Sequence, residues 1–164
     1  MSSCKESRFA QLIELASART SDERREVLRL ATEMFFQIRT ERTADQCGML
    51  DKLLCTIANG MQEGVLIELA ERFADTPDAP VQLMRDLATH ALPIAEPILR
   101  RSPRLSDDDL IRLVRTHSAT HARVIAQRPR VSAEVSNVIV EVGDDDAVGG
   151  LVGNTGADIS RETF

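Results

Sequence analysis

Two histidines four residues apart, in 117-HSATH-121, are the first residues of this sequence whose spacing could do chemistry. On a helix an i, i+4 pair turns two imidazoles to one face, where they can hold a metal ion. His117 and His121 lack the general-base Glu of a zinc protease motif, and they straddle an expected turn between helices. They are read as structural or solvated, with a metal site as the minor alternative. The acidic triplets Asp107–Asp109 and Asp144–Asp146 suggest a divalent cation. Each, however, opens a helix, where carboxylates accept from free N–H groups and complement the positive end of the macrodipole. Neither has the alternating ligands and closing Glu of a calcium loop. The stretch 149-GGLVGNTG-156 has the glycines of a phosphate loop without its Lys-Ser/Thr, and reads as close helix approach followed by a turn. Cys47 and Cys55, among Leu50, Leu54 and Ile57, are expected to be small core residues. No serine has a GxSxG setting, and no nucleophile, base and orienter assemble. The chain is therefore read as non-enzymatic, with no catalytic residue, cofactor or metal assigned.

What remains is an arginine island. Residues 100–130 hold eight Arg against three Asp, within a chain of net charge −6. Residues 1–99 carry 11 basic and 16 acidic side chains, and residues 131–164 one Arg against seven acids. Eighteen arginines against two lysines point to guanidinium chemistry, since the planar fork matches carboxylate or phosphate bidentately and an ammonium does not. Arg101, Arg104, Arg128 and Arg130 belong to repeated turns, and Arg100, Arg112, Arg115 and Arg123 extend the set along helix surfaces. These eight are expected to form a ligand- or partner-binding edge. The competing expectation is a solvated face that pairs internally with Asp144–Asp146 or with acids of the N-terminal half. Five Phe with no Trp or Tyr weaken any reading that needs aromatic stacking.

The elements that must position these residues read almost throughout as short amphipathic helices. The first is expected over about Ser3–Ala18. The next opens at Thr20 with Glu23 as a capping box and turns Val27, Leu28, Ala31, Met34, Phe35 and Ile38 inward. Thr43 and Gln46 repeat the box, Asn59-Gly60 supplies a left-handed stop, and a fourth helix runs to Phe73. The two prolines and two aspartates of 75-DTPDAP-80 mark a boundary between an N-terminal helical bundle (1–76) and C-terminal helical repeats (80–164). Shorter helices are predicted over Pro80–His90, Pro93–Arg101, Ser106–His117, Ala119–Gln127, Ser132–Val142 and Asp144–Val152. Pro97 is expected to kink or distort its helix. The run 138-VIVEV-142 has strand propensity, but the repeat places it on a helix.

That repeat is 101-RSPRLSDDDLIRLV-114 against 127-QRPRVSAEVSNVIV-140, 26 residues on. Ser106 and Ser132 are N-caps, preceded by Leu105 and Val131 as hydrophobic staples. A third copy is read at LVGNTGADIS, with Ile159-Ser160 in the Leu-Ser place. Units too small to bury their own apolar stripe must stack, which predicts an α-solenoid of compact helix pairs. The final SRETF reads as the start of another helix, from a chain cut from a longer protein (the favoured reading) or ending on a vestigial helix.

The segments IAEPILRRSPRLSDDDLIRLV, HARVIAQRPRVS and GDDDAVGGLVGN resemble the bacterial domain-of-unknown-function family 2336, and TSDERREVLRLATEMFF is similar to the segment preceding the repeats there. The resemblance covers residues from about 20 to about 160 and implies an all-α fold of HEAT-like repeats, with no activity, cofactor or catalytic residue attached. Composition and three scattered cysteines add the expectation of a reduced, cytoplasmic protein with no membrane span. The function expected is a non-catalytic interaction or regulatory scaffold whose Arg-rich edge takes an acidic protein partner or another domain of a longer chain. Nucleic-acid or nucleotide-phosphate binding by the same edge is the alternative.

Overall fold

The computed structural model describes residues 20–37 and 43–159. Among these residues are nine α-helices and no strand: α1 (Ser21–Gln37), α2 (Ala44–Ala58), α3 (Glu63–Phe73), α4 (Val81–Ala88), α5 (Leu92–Arg101), α6 (Asp107–Thr116), α7 (Ala119–Ala126), α8 (Ala133–Val142) and α9 (Asp145–Val152). The all-α expectation is borne out, and 138-VIVEV-142 lies in α8. The expected Ser3–Ala18 helix, Cys4, Ile38, Ser160 and the helix start after it lie outside the described residues.

The helices begin where side chains meet free N–H groups. The Thr20 N–H donates to Glu23 Oε2 at 3.1 Å, and Thr43 and Gln46 form a complete reciprocal box. Ser106, Ser132 and Asp144 accept from the N–H groups of Asp109, Val135 and Ala147. After α2 the chain turns through Gly60 at φ +80°, a conformation that a β-carbon disfavours. Helix α5 runs on through Pro97, whose ring is buried beside Ile94 and Ile98, so the missing N–H is offset by core packing.

The chain forms two compact units. One contains the described residues up to Leu66 together with Pro80–Leu83; the other contains Ile67–Ala79 and the described residues from Met84 onward. In the first, α1 packs on α2, burying Val27, Leu28, Ala31 and Phe35 from α1 and Leu50, Leu53, Leu54 and Ile57 from α2. Arg24 donates to the carbonyls of Ile57 (3.2 Å) and Asn59 (2.6 Å), tying α1 to the C-terminal end of α2. Asp51 accepts from the backbone N–H groups of Gln82 and Leu83, both at 2.9 Å, and so caps α4 from a distant part of the chain. Cys47 is exposed and Cys55 half-buried, which corrects the expectation of two core thiols. Cys47 lies in the first turn of α2, ahead of the buried run that starts at Leu50.

In the second unit α7 packs between α5 and α9, and α6 packs on α8. Helices α4, α6 and α8 begin at Val81, Asp107 and Ala133, 26 residues apart. The period therefore reaches back to 75-DTPDAP-80, which the sequence presents only as punctuation. Forward, the parallel bridge pairs Val131 with Ala157. This corrects the register of the third copy: Ala157-Asp158 occupies the Leu-Ser place, 26 residues on, instead of Ile159-Ser160. Hydroxyl matching chose the wrong pair because the residue after the bridge is Asp158 and not a serine.

Equivalent core positions are not equally apolar. Met84 and Leu110 are matched 26 residues later by Ser136, fully buried with an Oγ that finds no partner. An unpaired buried hydroxyl costs about 1–3 kcal/mol, and Ala is also the better helix former. Ser136→Ala is expected to raise stability by about 1 kcal/mol, a rise in Tm of roughly 2–4 °C in a thermal melt; a lower Tm would show that the hydroxyl has a partner.

Candidate functional site

The four turns centred on Thr76, Ser102, Arg128 and Asn154 follow the 26-residue period, and successive turns are bonded together. The Arg128 guanidinium donates to the carbonyl oxygens of Leu99 and, at 2.8 Å, Ser102. One period later the Asn154 amide does the same work, donating to Ala126 O at 2.7 Å and Arg128 O at 2.8 Å. Val131 N–H donates to Gly156 O (3.1 Å) and Asp158 N–H to Val131 O (2.8 Å). The approach is close enough that a β-carbon on Gly156 would lie 2.0 Å from Pro129 O, so this position admits no side chain. Arg104 Nε donates to Ala79 O at 3.0 Å, joining the second turn to the first.

These bonds redefine the arginine island. Arg104 and Arg128 hold backbone carbonyls, and Arg128 is buried enough that desolvation lowers its pKa, opposed by the nearby Asp107. Arg101 pairs with Glu71 and, at 3.6 Å, Asp75. Arg100 bonds Gln127 (2.7 Å) and Glu96 (3.4 Å). Arg115 meets Glu141 at 3.1 Å. Arg123 forks onto Asp144, the N-cap of α9, and reaches Asp146 at 3.0 Å; its hydrogen bond holds the Asp144 carboxyl below the usual range. Arg112 meets Asp109 at 2.5 Å. Arg130 alone of the eight makes no hydrogen bond or ion pair among the described residues, and it is exposed. It borders an open groove of about 590 Å³ lined by Asp107, Arg128, Arg130, Val131, Ser132 and Asp158.

Two buried polar groups lie away from the turns. Asp109 occupies a position filled by Leu83 and Val135 in the neighbouring periods, yet is only 2 % exposed. Burial pushes its carboxyl up, but bonds from the Ser106 hydroxyl (2.8 Å) and N–H (3.2 Å) and the Arg85 guanidinium (2.9 Å) outweigh this and hold it low. Sequence reasoning missed Arg85 because nothing local to α4 shows that it faces Asp109. His121 is also buried, and its Nε2 must donate to the His90 carbonyl at 3.1 Å, which leaves Nδ1 to accept from the Ser118 hydroxyl at 3.0 Å. His117 lies 5.1 Å away ring to ring, with its Nδ1 2.8 Å from Thr116 Oγ1. The two imidazoles do come together, but the His121 lone pair that a metal would need is already engaged. Among the described residues no group of three or more His, Cys, Asp or Glu is placed to hold a metal ion.

Two expectations follow. Arg128→Met keeps the aliphatic stem but strips two carbonyls of their donor, and is expected to lower unfolding free energy by about 2–4 kcal/mol in urea. Arg128→Lys, with a compact ammonium in place of a fork, should recover only part of that. Full stability of the Met variant would show the bonds to be dispensable. For His121, burial lowers the pKa first, and His117 adds to it, against the bond to His90. The folded state thus resists protonation, so stability is highest above the ordinary histidine value of about 6.5 and is lost as pH falls below it. The urea midpoint should decline between about pH 7 and about pH 5 and decline less in His121→Gln; parallel curves would exclude His121 as the source.

Neither a curated protein nor a solved structure matches the chain. A family model does match, over residues 94–164, where the sequence resemblance was read from about residue 20 to about residue 160. The segment that carries the repeated Pro-Arg turns is thus similar to the bacterial family DUF2336, described as an uncharacterised protein conserved in bacteria.

Proposed function

We propose that the chain is a non-catalytic interaction scaffold, an α-solenoid of short HEAT-like helix pairs that receives a protein partner along its turn edge. The observation that carries this reading is the 26-residue recurrence of helix, turn and cap, with side chains of one turn bonded to the carbonyls of the turn before. Repetition of this kind builds an extended surface without needing a catalytic constellation. The edge offers Arg130 as an uncommitted guanidinium beside a groove, and a guanidinium is suited to an acidic partner group. The partner is a separate protein or another domain of a longer chain, met in the cytoplasm. No described helix is long and apolar enough to cross a membrane.

Nucleic-acid or nucleotide-phosphate binding is the second reading, favoured by the eight Arg against three Asp in residues 100–130. The pairing of Arg101 and Arg123 with carboxylates, and the use of Arg104 and Arg128 N–H groups on carbonyls, leave fewer free guanidinium donors for a phosphate backbone, which supports the protein partner. Titration into labelled duplex DNA, single-stranded DNA and RNA at two salt concentrations separates the two. Binding by phosphate contact weakens with a log–log slope of roughly −0.9 per phosphate neutralised on duplex DNA. The expected outcome is no salt-sensitive binding, together with partner capture that Arg130→Glu abolishes while the thermal melt stays unchanged. Tight, salt-sensitive binding lost in Arg130→Glu would reverse the ranking.

A further inference from the structure

Arg104 and Arg130 occupy the same place in successive turns, yet only Arg104 is spent on the fold, donating to Ala79 O. Arg130 projects unpaired beside the groove of the third turn. Asp158 lines the same groove and is exposed, with its backbone N–H committed to Val131 O and its carboxylate free among the described residues. Arg128 there is committed to two carbonyls, and Asp107 lies near enough to favour its charged form without bonding to it. The groove therefore presents Arg130 as its uncommitted cation and Asp158 as an uncommitted anion, with Val131 and Pro129 as apolar lining.

We propose that this groove is the partner-binding site, and that it takes an extended peptide segment bearing an acidic side chain for Arg130 and, a few residues along, a basic side chain for Asp158. The proposal rests on the protein-binding reading above and specifies its ligand. Charge complementarity selects this occupant over a polyanion. A run of phosphates or of acidic residues would meet Asp107 and Asp158 as well as Arg130, and like charges brought together oppose binding. A mixed-charge segment satisfies both free groups and fixes its own direction in the groove. A volume of about 590 Å³ lies within the range of small-ligand and peptide pockets.

The test is selection of random dodecapeptides displayed on phage against the immobilised full chain, followed by fluorescence anisotropy with the enriched peptides. Enriched sequences are expected to pair Asp or Glu with Lys or Arg. Their affinity should fall about tenfold or more in Arg130→Glu and in Asp158→Lys. Exchanging the two charges in a peptide should restore its binding to the double variant Arg130→Glu/Asp158→Lys, a rescue that a damaged fold would not give. Arg130→Ser serves as a second, milder variant. Enriched peptides whose affinity neither variant changes would overturn the groove while leaving the protein-binding reading intact. Absence of enrichment over an empty support would overturn the groove proposal, and partner capture would then decide the wider reading by itself.

Discussion

Every helix end leaves carbonyl groups without an intrahelical donor, and in a stack of short helices such ends recur every few turns. The bonds from Arg128 to Leu99 O and Ser102 O, and from Asn154 to Ala126 O and Arg128 O, meet that need by the same geometry one period apart. Each turn is thereby fastened by the next. Helices of eight to ten residues, as α5 to α9 are, are too short to be stable alone in water. Their order depends on neighbours held at a fixed spacing, and the turn bonds set that spacing.

The same requirement explains why many of the described arginines are turned to bonds within the fold. A guanidinium has five donors in a rigid fork and suits two carbonyls or a carboxylate equally well. Arg24 uses it on the end of α2, Arg128 on the end of α5, and Arg123 on the cap of α9. These are positioning roles inside the fold. Of the eight arginines in residues 100–130, Arg130 makes no such bond among the described residues, whereas its counterpart Arg104 is internally bonded.

Buried polar groups add specificity to a core that is mostly Leu, Ile, Val and Ala. Asp109 falls at the position that Leu83 and Val135 hold in the 26-residue period, and it is tolerated because Ser106, Arg85 and Arg112 satisfy its oxygens. His121 joins the segment after α4 to the start of α7 through one imidazole with both nitrogens engaged. Such groups fix how neighbouring periods sit, because a shift of register would strand them unpaired. Ser136 is the exception, buried with nothing to bond.

Helix content was legible in the sequence because its signals are local. A Thr43–Gln46 or Ser106–Asp109 box acts within one turn, and periodic Leu and Val residues mark the inner face wherever the helix later packs. The recurrence of Pro, Arg, an aliphatic residue and Ser likewise disclosed the period, and with it the placement of 138-VIVEV-142 on a helix. Tertiary structure decided what depended on a distant partner. Pro80 stands where Ser106 and Ser132 cap their helices, and Asp51 supplies that cap from α2. The third turn keeps the period through a backbone bridge although an aspartate stands where the earlier copies have serine. Above all, a sequence records how many arginines an island holds but not what each one meets, since a guanidinium on its long stem reaches a carbonyl or a carboxylate 20 to 30 residues away only once the chain has folded.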